Sequence, residues 1–122
     1  EKRFAGTDLG FNVLIRPAMY DSHHEIEVWR NGVPQNEAET EIVSVVGNIC
    51  ESGDILANDR ELPKIQEGDI VAVTDSGAYG YSMSSNYNSR LRPAEVLIEK
   101  SGNVRMIRRR DSLEDLLVNL TF

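Results

Sequence analysis

Residues able to do chemistry gather in three stretches of the sequence. The first is Gly47-Asn48-Ile49-Cys50-Glu51-Ser52-Gly53-Asp54, which holds the one cysteine of the chain. A thiol beside the Glu51 carboxylate offers a proton donor next to an anionic binding group. The flanking glycines permit backbone turns that present such side chains to a ligand. The plainer alternative is Cys50 packed as a small buried hydrophobe, against which the adjacent acid counts. The second stretch runs from Ser76 to Arg90 and carries Tyr79, Tyr81 and Tyr87 among small hydroxyls and asparagines. Tyrosine combines an apolar body with a polar tip, suited to phosphate or ring contacts. The alternative is a turn-rich loop whose tyrosines pack over its own backbone. The third is Leu14-Ile15-Arg16-Pro17-Ala18-Met19-Tyr20. Pro17 biases Arg16 toward an extended backbone. The Arg16 guanidinium can fork onto a carboxylate, or it can form an ordinary surface ion pair.

Other residue types narrow the chemistry. His23 and His24 are adjacent, so on a strand they face opposite ways and make no side-by-side metal pair; a metal site is not expected. Arg108-Arg109-Arg110 is the one basic run, read either as a solvated strand end or as a surface for an acidic partner. The three lysines, Lys2, Lys64 and Lys100, lack the apolar setting that suits an amine for Schiff-base work. Thirteen basic and 20 acidic residues leave a net charge of −7, which argues against a nucleic-acid or anionic membrane surface. A single cysteine excludes an internal disulfide framework and a cysteine-based zinc cluster. No apolar run approaches the roughly 20 residues of a membrane span. The first six residues, Glu1 to Gly6, show neither the apolar stretch nor the cleavage site of a secretory signal, and a reduced, cytoplasmic setting is expected. The chain starts without an initiator Met, as a piece of a longer or processed protein would.

The elements that must position these residues read mostly as strands. In 24–30, Ile26 and Val28 alternate with Glu25 and Glu27, a half-buried strand pattern. Asn31-Gly32 follows, a strong hairpin-turn signal, although Pro34 and the polar stretch to Thr40 suggest a longer connection. Segments 41–46 and 69–75 are rich in β-branched residues and read as strands. Segments 95–99 and 104–108 read as a hairpin about Ser101-Gly102-Asn103. Ser112 to Asp115 resembles a capping box opening a short C-terminal helix, with Leu113, Leu116, Leu117 and Leu120 at helical spacing. Segments 1–22, 50–64 and 78–92 are expected to be loops. The fold expected for this single domain is mainly β: an antiparallel β-barrel or sandwich with short helices, one of them C-terminal.

The motifs together resemble the diaminopimelate decarboxylases, a family of pyridoxal-phosphate-dependent enzymes. The resemblance rests on Cys50-Glu51-Ser52-Gly53-Asp54; on Gly77-Ala78-Tyr79 with Ser82 to Arg90; on Arg92-Pro93-Ala94-Glu95-Val96-Leu97; and on Leu14 to Asp21 with His24-Glu25-Ile26. It covers about residues 8–120. Three departures concern loop stiffness: Asn48 and Leu91 stand where the family often has Pro, and Ser22-His23 replaces a common Ala-Tyr.

That resemblance implies that residues 1–122 are the C-terminal β domain of a two-domain decarboxylase. The N-terminal α/β barrel, which carries the Schiff-base lysine and a glycine-rich phosphate site, lies outside this sequence. Carried over by position, Cys50 is the proton donor, Arg16, Tyr20, Glu51 and Tyr79 bind substrate, and Tyr79 also touches the phosphate of pyridoxal phosphate. The implied substrate is meso-diaminopimelate, converted to L-lysine and carbon dioxide. The implied assembly is a homodimer in which the Cys50-Glu51 loop reaches the partner's site. The isolated chain is expected to fold and to be inactive. Within the family, decarboxylases of other basic amino acids or of carboxynorspermidine are the near alternatives; Glu51 to Asp54 and Ser85 to Asn88 favour diaminopimelate. Outside it, the alternative is a stand-alone, non-catalytic binding module.

Overall fold

In the computed structural model, which describes residues 2–121, burial follows the alternation of β2 (Ile26–Arg30): Ile26 and Val28 face inward while Glu25 and Glu27 stay exposed. Asn31 and Gly32, at φ 51° and 78°, form a two-residue turn into β3 (Val33–Pro34). The Asn31-Gly32 signal is thus a tight hairpin turn, because positive φ at both central residues matches the twist of the paired strands; the polar stretch to Thr40 then makes the connection to the following strand the long one expected. β2 also pairs antiparallel with β6 (Ile70–Val73), completing a three-stranded sheet in the order β3-β2-β6.

A second sheet has the order β1-β4-β5, from β1 (Phe4–Gly6), β4 (Thr40–Val46) and β5 (Ile55–Pro63). β4 and β5 run antiparallel. β1 lies parallel to β4, with Phe4 opposite Ser44, so the pairing is not antiparallel throughout. β7 (Glu95–Ile98) and β8 (Val104–Arg108) make a separate antiparallel hairpin. The three sheets are not closed into one barrel. Among the described residues three short α-helices, α1 (Arg16–Tyr20), α2 (Gly77–Met83) and α3 (Leu113–Leu117), and a 3-10 turn (Tyr87–Ser89) complete the fold. Among the described residues no helix is long and apolar enough to cross a membrane.

The core joins the two three-stranded sheets. Ile26, Val43, Val45, Leu56, Ala57 and Leu62 form one buried cluster, with Ala5, Ile65, Val71 and Val73 packed against it. Burying the Val, Leu and Ile side chains of the cluster contributes roughly 1.5–3 kcal/mol each.

β5 falls inside the expected loop 50–64. Its polar run Asn58-Asp59-Arg60-Glu61 disguises it, and a bulge breaks its alternation. Asp59 sits at φ 45°. Opposite the irregularity, the fully buried Ser44 hydroxyl accepts from the Asp59 N–H at 2.9 Å and donates toward Asn58 Oδ1 and Asp59 Oδ1 at 3.2 and 3.1 Å. A buried hydroxyl without partners is costly, so the polar residues of β5 complete the strand rather than interrupt it.

The segments 1–22 and 78–92 likewise contain β1, α1 and most of α2. Arg16 is helical, not extended, with Pro17 in the first turn of α1. Proline is tolerated there because its missing N–H would have no helical acceptor. α3 has the expected capping box: the Ser112 side chain meets the backbone of Asp115, and the Asp115 carboxylate accepts from the Ser112 N–H at 2.7 Å. The helix ends at Leu117, so Leu120 lies beyond it.

One ion pair fixes the entry to β6. Arg30 donates from Nε and a terminal nitrogen to the two oxygens of Asp69 at 2.8 and 2.7 Å, and Asp69 also accepts from the Gln66 N–H at 2.8 Å. The Arg30 guanidinium, aided by that N–H, holds the Asp69 carboxyl near a pKa of about 2, against an ordinary 3.8. The depressed value means its stabilisation is present above pH 3.8 and is lost as pH falls toward 2. Thermal melts between pH 5 and pH 2 should therefore show a stability loss that Asp69→Asn reduces in that window.

Candidate active site

α1 carries Arg16 and Tyr20 four residues apart, on one face of a helical turn. α2 brings Tyr79 to them: the Arg16 guanidinium carbon lies 4.1 Å from the Tyr79 ring centroid. Such stacking contributes about 0.5–1 kcal/mol at an exposed site. Tyr20 and Tyr79 both expose much of their surface.

The orientation of α2 is set from its other side. Tyr81, two residues after Tyr79, points the opposite way around a 3.6-residue turn. The Arg108 and Arg92 guanidinium carbons lie 3.6 and 5.0 Å from its ring centroid. Arg108 also pairs with Glu95, and Arg109 with Asp115. The basic run is thus partly spent on internal pairs. Arg92 continues inward: it bonds Asn86 Oδ1 at 2.9 Å and Asp111 at 3.3 Å. The Arg92 N–H, with Asn86 and the Arg92 guanidinium, lowers the pKa of Asp111.

A second group surrounds the thiol. Cys50 is exposed, not a buried hydrophobe. Asn88 Nδ2 donates to its sulfur at 3.3 Å, and the Tyr87 hydroxyl donates to Glu51 Oε1. The Glu51 carboxylate pushes the Tyr87 phenol above its ordinary pKa. Arg90 donates to the Asn48 carbonyl at 3.0 Å, and Asn48 Nδ2 to the Asp8 carbonyl at 2.8 Å. Asn48, standing where the resemblance leads one to expect Pro, thus supplies a tether of another kind.

Asp54 holds this loop closed. Asp54 is only 4 % exposed, and its carboxylate accepts from the Phe11 and Ile49 N–H groups, each at 2.7 Å. Its backbone carbonyl accepts from Gly47 at 3.0 Å. A Cβ on Gly47 would stand 2.2 Å from the Asp54 carboxylate, and one on Gly10 would stand 2.7 Å from it and 2.6 Å from Ile49. Glycine is required at both positions by this close approach. The Phe11 ring then meets Tyr87 edge to face, with centroids 5.7 Å apart.

The structure therefore brings Arg16 to Tyr79, with Tyr20 one turn along, and gathers Cys50 and Glu51 with Tyr87 and Asn88. Among the described residues no hydrogen bond joins the two groups. Tyr87, Asn88 and Asp54 had no individual role in the sequence reading. Asp54 follows Gly53, with Glu51 three residues before it, and nothing local singles it out; the Tyr87 and Asn88 contacts form only once the loops are folded.

The family model "Pyridoxal-dependent decarboxylase, C-terminal sheet domain" matches residues 1–77. The chain belongs to this family. The match includes Arg16, Tyr20, Cys50 and Glu51 and stops short of Tyr79. The chain is 53% identical over 116 residues to a diaminopimelate decarboxylase of Methanothermobacter thermautotrophicus, covering 95% of this chain and 26% of that protein. A crystal structure of a diaminopimelate decarboxylase superposes with TM-score 0.90 at 44% identity, covering 97% of this chain and 30% of the other. A structure of the M. jannaschii diaminopimelate decarboxylase in complex with L-lysine gives TM-score 0.82 at 42% identity, over 97% and 26%. This sheet domain spans about a quarter of the curated relatives it matches.

Pyridoxal phosphate carries an aldehyde that an enzyme captures with an amine, and an anionic phosphate. The polar tip of Tyr79, on whose ring Arg16 stacks, suits the anion. Among the described residues no lysine forms a hydrogen bond or ion pair with either: Lys2 pairs with Asp59, Lys64 with Glu39, and Lys100 lies on the exposed β7–β8 turn. The domain thus fits the periphery of the cofactor rather than its point of attachment.

Two substitutions test the closure of the loop. Gly47→Ala should destabilise the domain by about 1–3 kcal/mol through overpacking. Asp54→Ala, which strands two N–H groups, should cost about 3 kcal/mol. Urea unfolding measures both.

Proposed function

We propose that this domain is part of a cytoplasmic decarboxylase that converts meso-diaminopimelate to L-lysine and carbon dioxide. What supports the reading is the pairing of two facts: 53% identity over 95% of the chain to a diaminopimelate decarboxylase, and an exposed Cys50 beside a Glu51 held by a neighbouring phenol.

The rest of the protein, including an α/β barrel with the attaching lysine, supplies what this domain lacks. Pyridoxal phosphate, when bound, serves as the electron sink for decarboxylation. Tyr79 contacts its phosphate and the substrate. Arg16 pairs a substrate carboxylate, steadied by the Tyr79 ring beneath it, and Tyr20 lines the same face. Glu51 receives the substrate ammonium. Cys50 Sγ gives its proton to the carbon that has lost carbon dioxide. A substrate with two similar ends is oriented by reading a carboxylate and an ammonium away from the reacting carbon. An analogue that leaves Arg16 or Glu51 unpaired is rejected by large factors. The assembly in this reading is a homodimer in which each subunit lends its Cys50 loop to its partner's site.

The full-length protein carrying this chain, supplied with pyridoxal phosphate, should release carbon dioxide from meso-diaminopimelate, form L-lysine and leave ornithine largely untouched. Preference for another basic amino acid or for carboxynorspermidine in competition assays would overturn the substrate assignment. The isolated chain should neither turn over substrate nor shift the visible absorbance of added cofactor. In the full-length enzyme, Cys50→Ala should lower kcat at least about 100-fold while leaving the melting temperature within about 2 °C. Parallel losses of activity and stability would indicate a packing role instead. Arg16→Met should reduce kcat/KM roughly 10- to 100-fold, the worth of a charge-assisted hydrogen bond.

A further inference from the structure

We propose that Tyr87 and Asn88 are positioning residues for the reaction, Tyr87 aiming the Glu51 carboxylate and Asn88 the Cys50 thiol. The inference rests on the decarboxylase reading above and assigns work to a loop that reading leaves unused. Glu51 and Cys50 are both exposed, and an exposed glutamate has several free rotors whose ordering costs about 1–2 kcal/mol. The Tyr87 hydroxyl holds Oε1, while Oε2 has no partner among the described residues and is free to meet an ammonium. The phenol is itself held, edge-on to Phe11, whose N–H is bound to Asp54. The carboxylate keeps the phenol protonated to higher pH than an ordinary tyrosine, so Tyr87 stays a donor over that wider range.

Asn88 acts on the sulfur. It sits at φ 56°, ψ 28°, a left-handed conformation that asparagine tolerates better than most residues. The turn is anchored by Asn86, which donates to the Arg90 carbonyl at 2.8 Å and to Asp111 at 3.1 Å. From there Asn88 Nδ2 donates to Cys50 Sγ. A proton donor must not spend its proton on a neighbour, and here the neighbour offers a proton to sulfur instead. When the S–H bond breaks and the new C–H bond forms, sulfur keeps the electron pair, and the Asn88 N–H is already directed at the charge that develops. Water returns the proton to sulfur once product has left the site.

The test uses the full-length holoenzyme. Tyr87→Phe keeps the ring and its contact with Phe11; KM for meso-diaminopimelate should rise about tenfold with kcat within about twofold, the worth of one hydrogen bond to a charged group. In a Glu51→Gln background the same change should do little, because the interaction it removes is already weakened. Asn88→Asp keeps the side-chain shape and the left-handed backbone but removes the donor; kcat should fall about tenfold or more, with KM within about threefold. Both variants should melt within about 2 °C of the wild type. Each residue stands by its own variant: unchanged kinetics, or matched losses accompanied by a fall in melting temperature, overturn its assignment. A wild-type enzyme inactive on meso-diaminopimelate overturns the decarboxylase reading together with this inference. An active wild type with unaltered variants overturns the inference alone.

Discussion

The Asp54 carboxylate is the hub on which the site depends. It is nearly removed from solvent, and what satisfies it are two backbone N–H groups from different segments, Phe11 and Ile49. Charge-assisted hydrogen bonds to a carboxylate are among the stronger polar contacts a protein makes. Here they bind the stretch leading into α1 to the loop that carries Cys50 and Glu51. The requirement reaches two further positions, since the carboxylate fits only where Gly10 and Gly47 offer no Cβ.

Around that hub the second half of the domain works as a clamp. Arg92 and Arg108 enclose Tyr81, which turns the opposite face of α2, with Tyr79, toward Arg16. Arg92 also reaches Asn86 and Asp111, which anchor the turn bearing Tyr87 and Asn88. One arginine therefore connects the two groups of side chains through the framework, although among the described residues the groups share no hydrogen bond. The clamp is polar and largely at the surface, where exposed pairs contribute little to stability individually; its value lies in fixing directions.

Legibility in the sequence followed how local each cause was. β2 was visible because Ile26 and Val28 alternate with acids, and the β7–β8 hairpin because Ser101-Gly102-Asn103 separates two β-branched runs. β5 was hidden because its polar residues answer a buried Ser44 on another strand. α1 was obscured by Pro17, whose effect on Arg16 depends on whether a helix begins there. Cys50 read as ambiguous: nothing in its immediate neighbours decides exposure, which follows from the closure of the loop by Asp54.

The residue types at the site, a thiol beside a carboxylate, an arginine before a proline and a glycine-flanked tyrosine, were determined by the sequence alone, as were the strand alternation and the family resemblance they support. Side-chain chemistry and period-two patterning are properties of neighbouring residues and survive without coordinates. Only the tertiary structure decided that Arg16 stacks on Tyr79, that Tyr87 and Asn88 hold Glu51 and Cys50, and that Asp54 ties the loops together. Those contacts join residues 36 to 63 positions apart, and such pairings come from the register of the sheets and the packing of the core, which no short window of sequence contains.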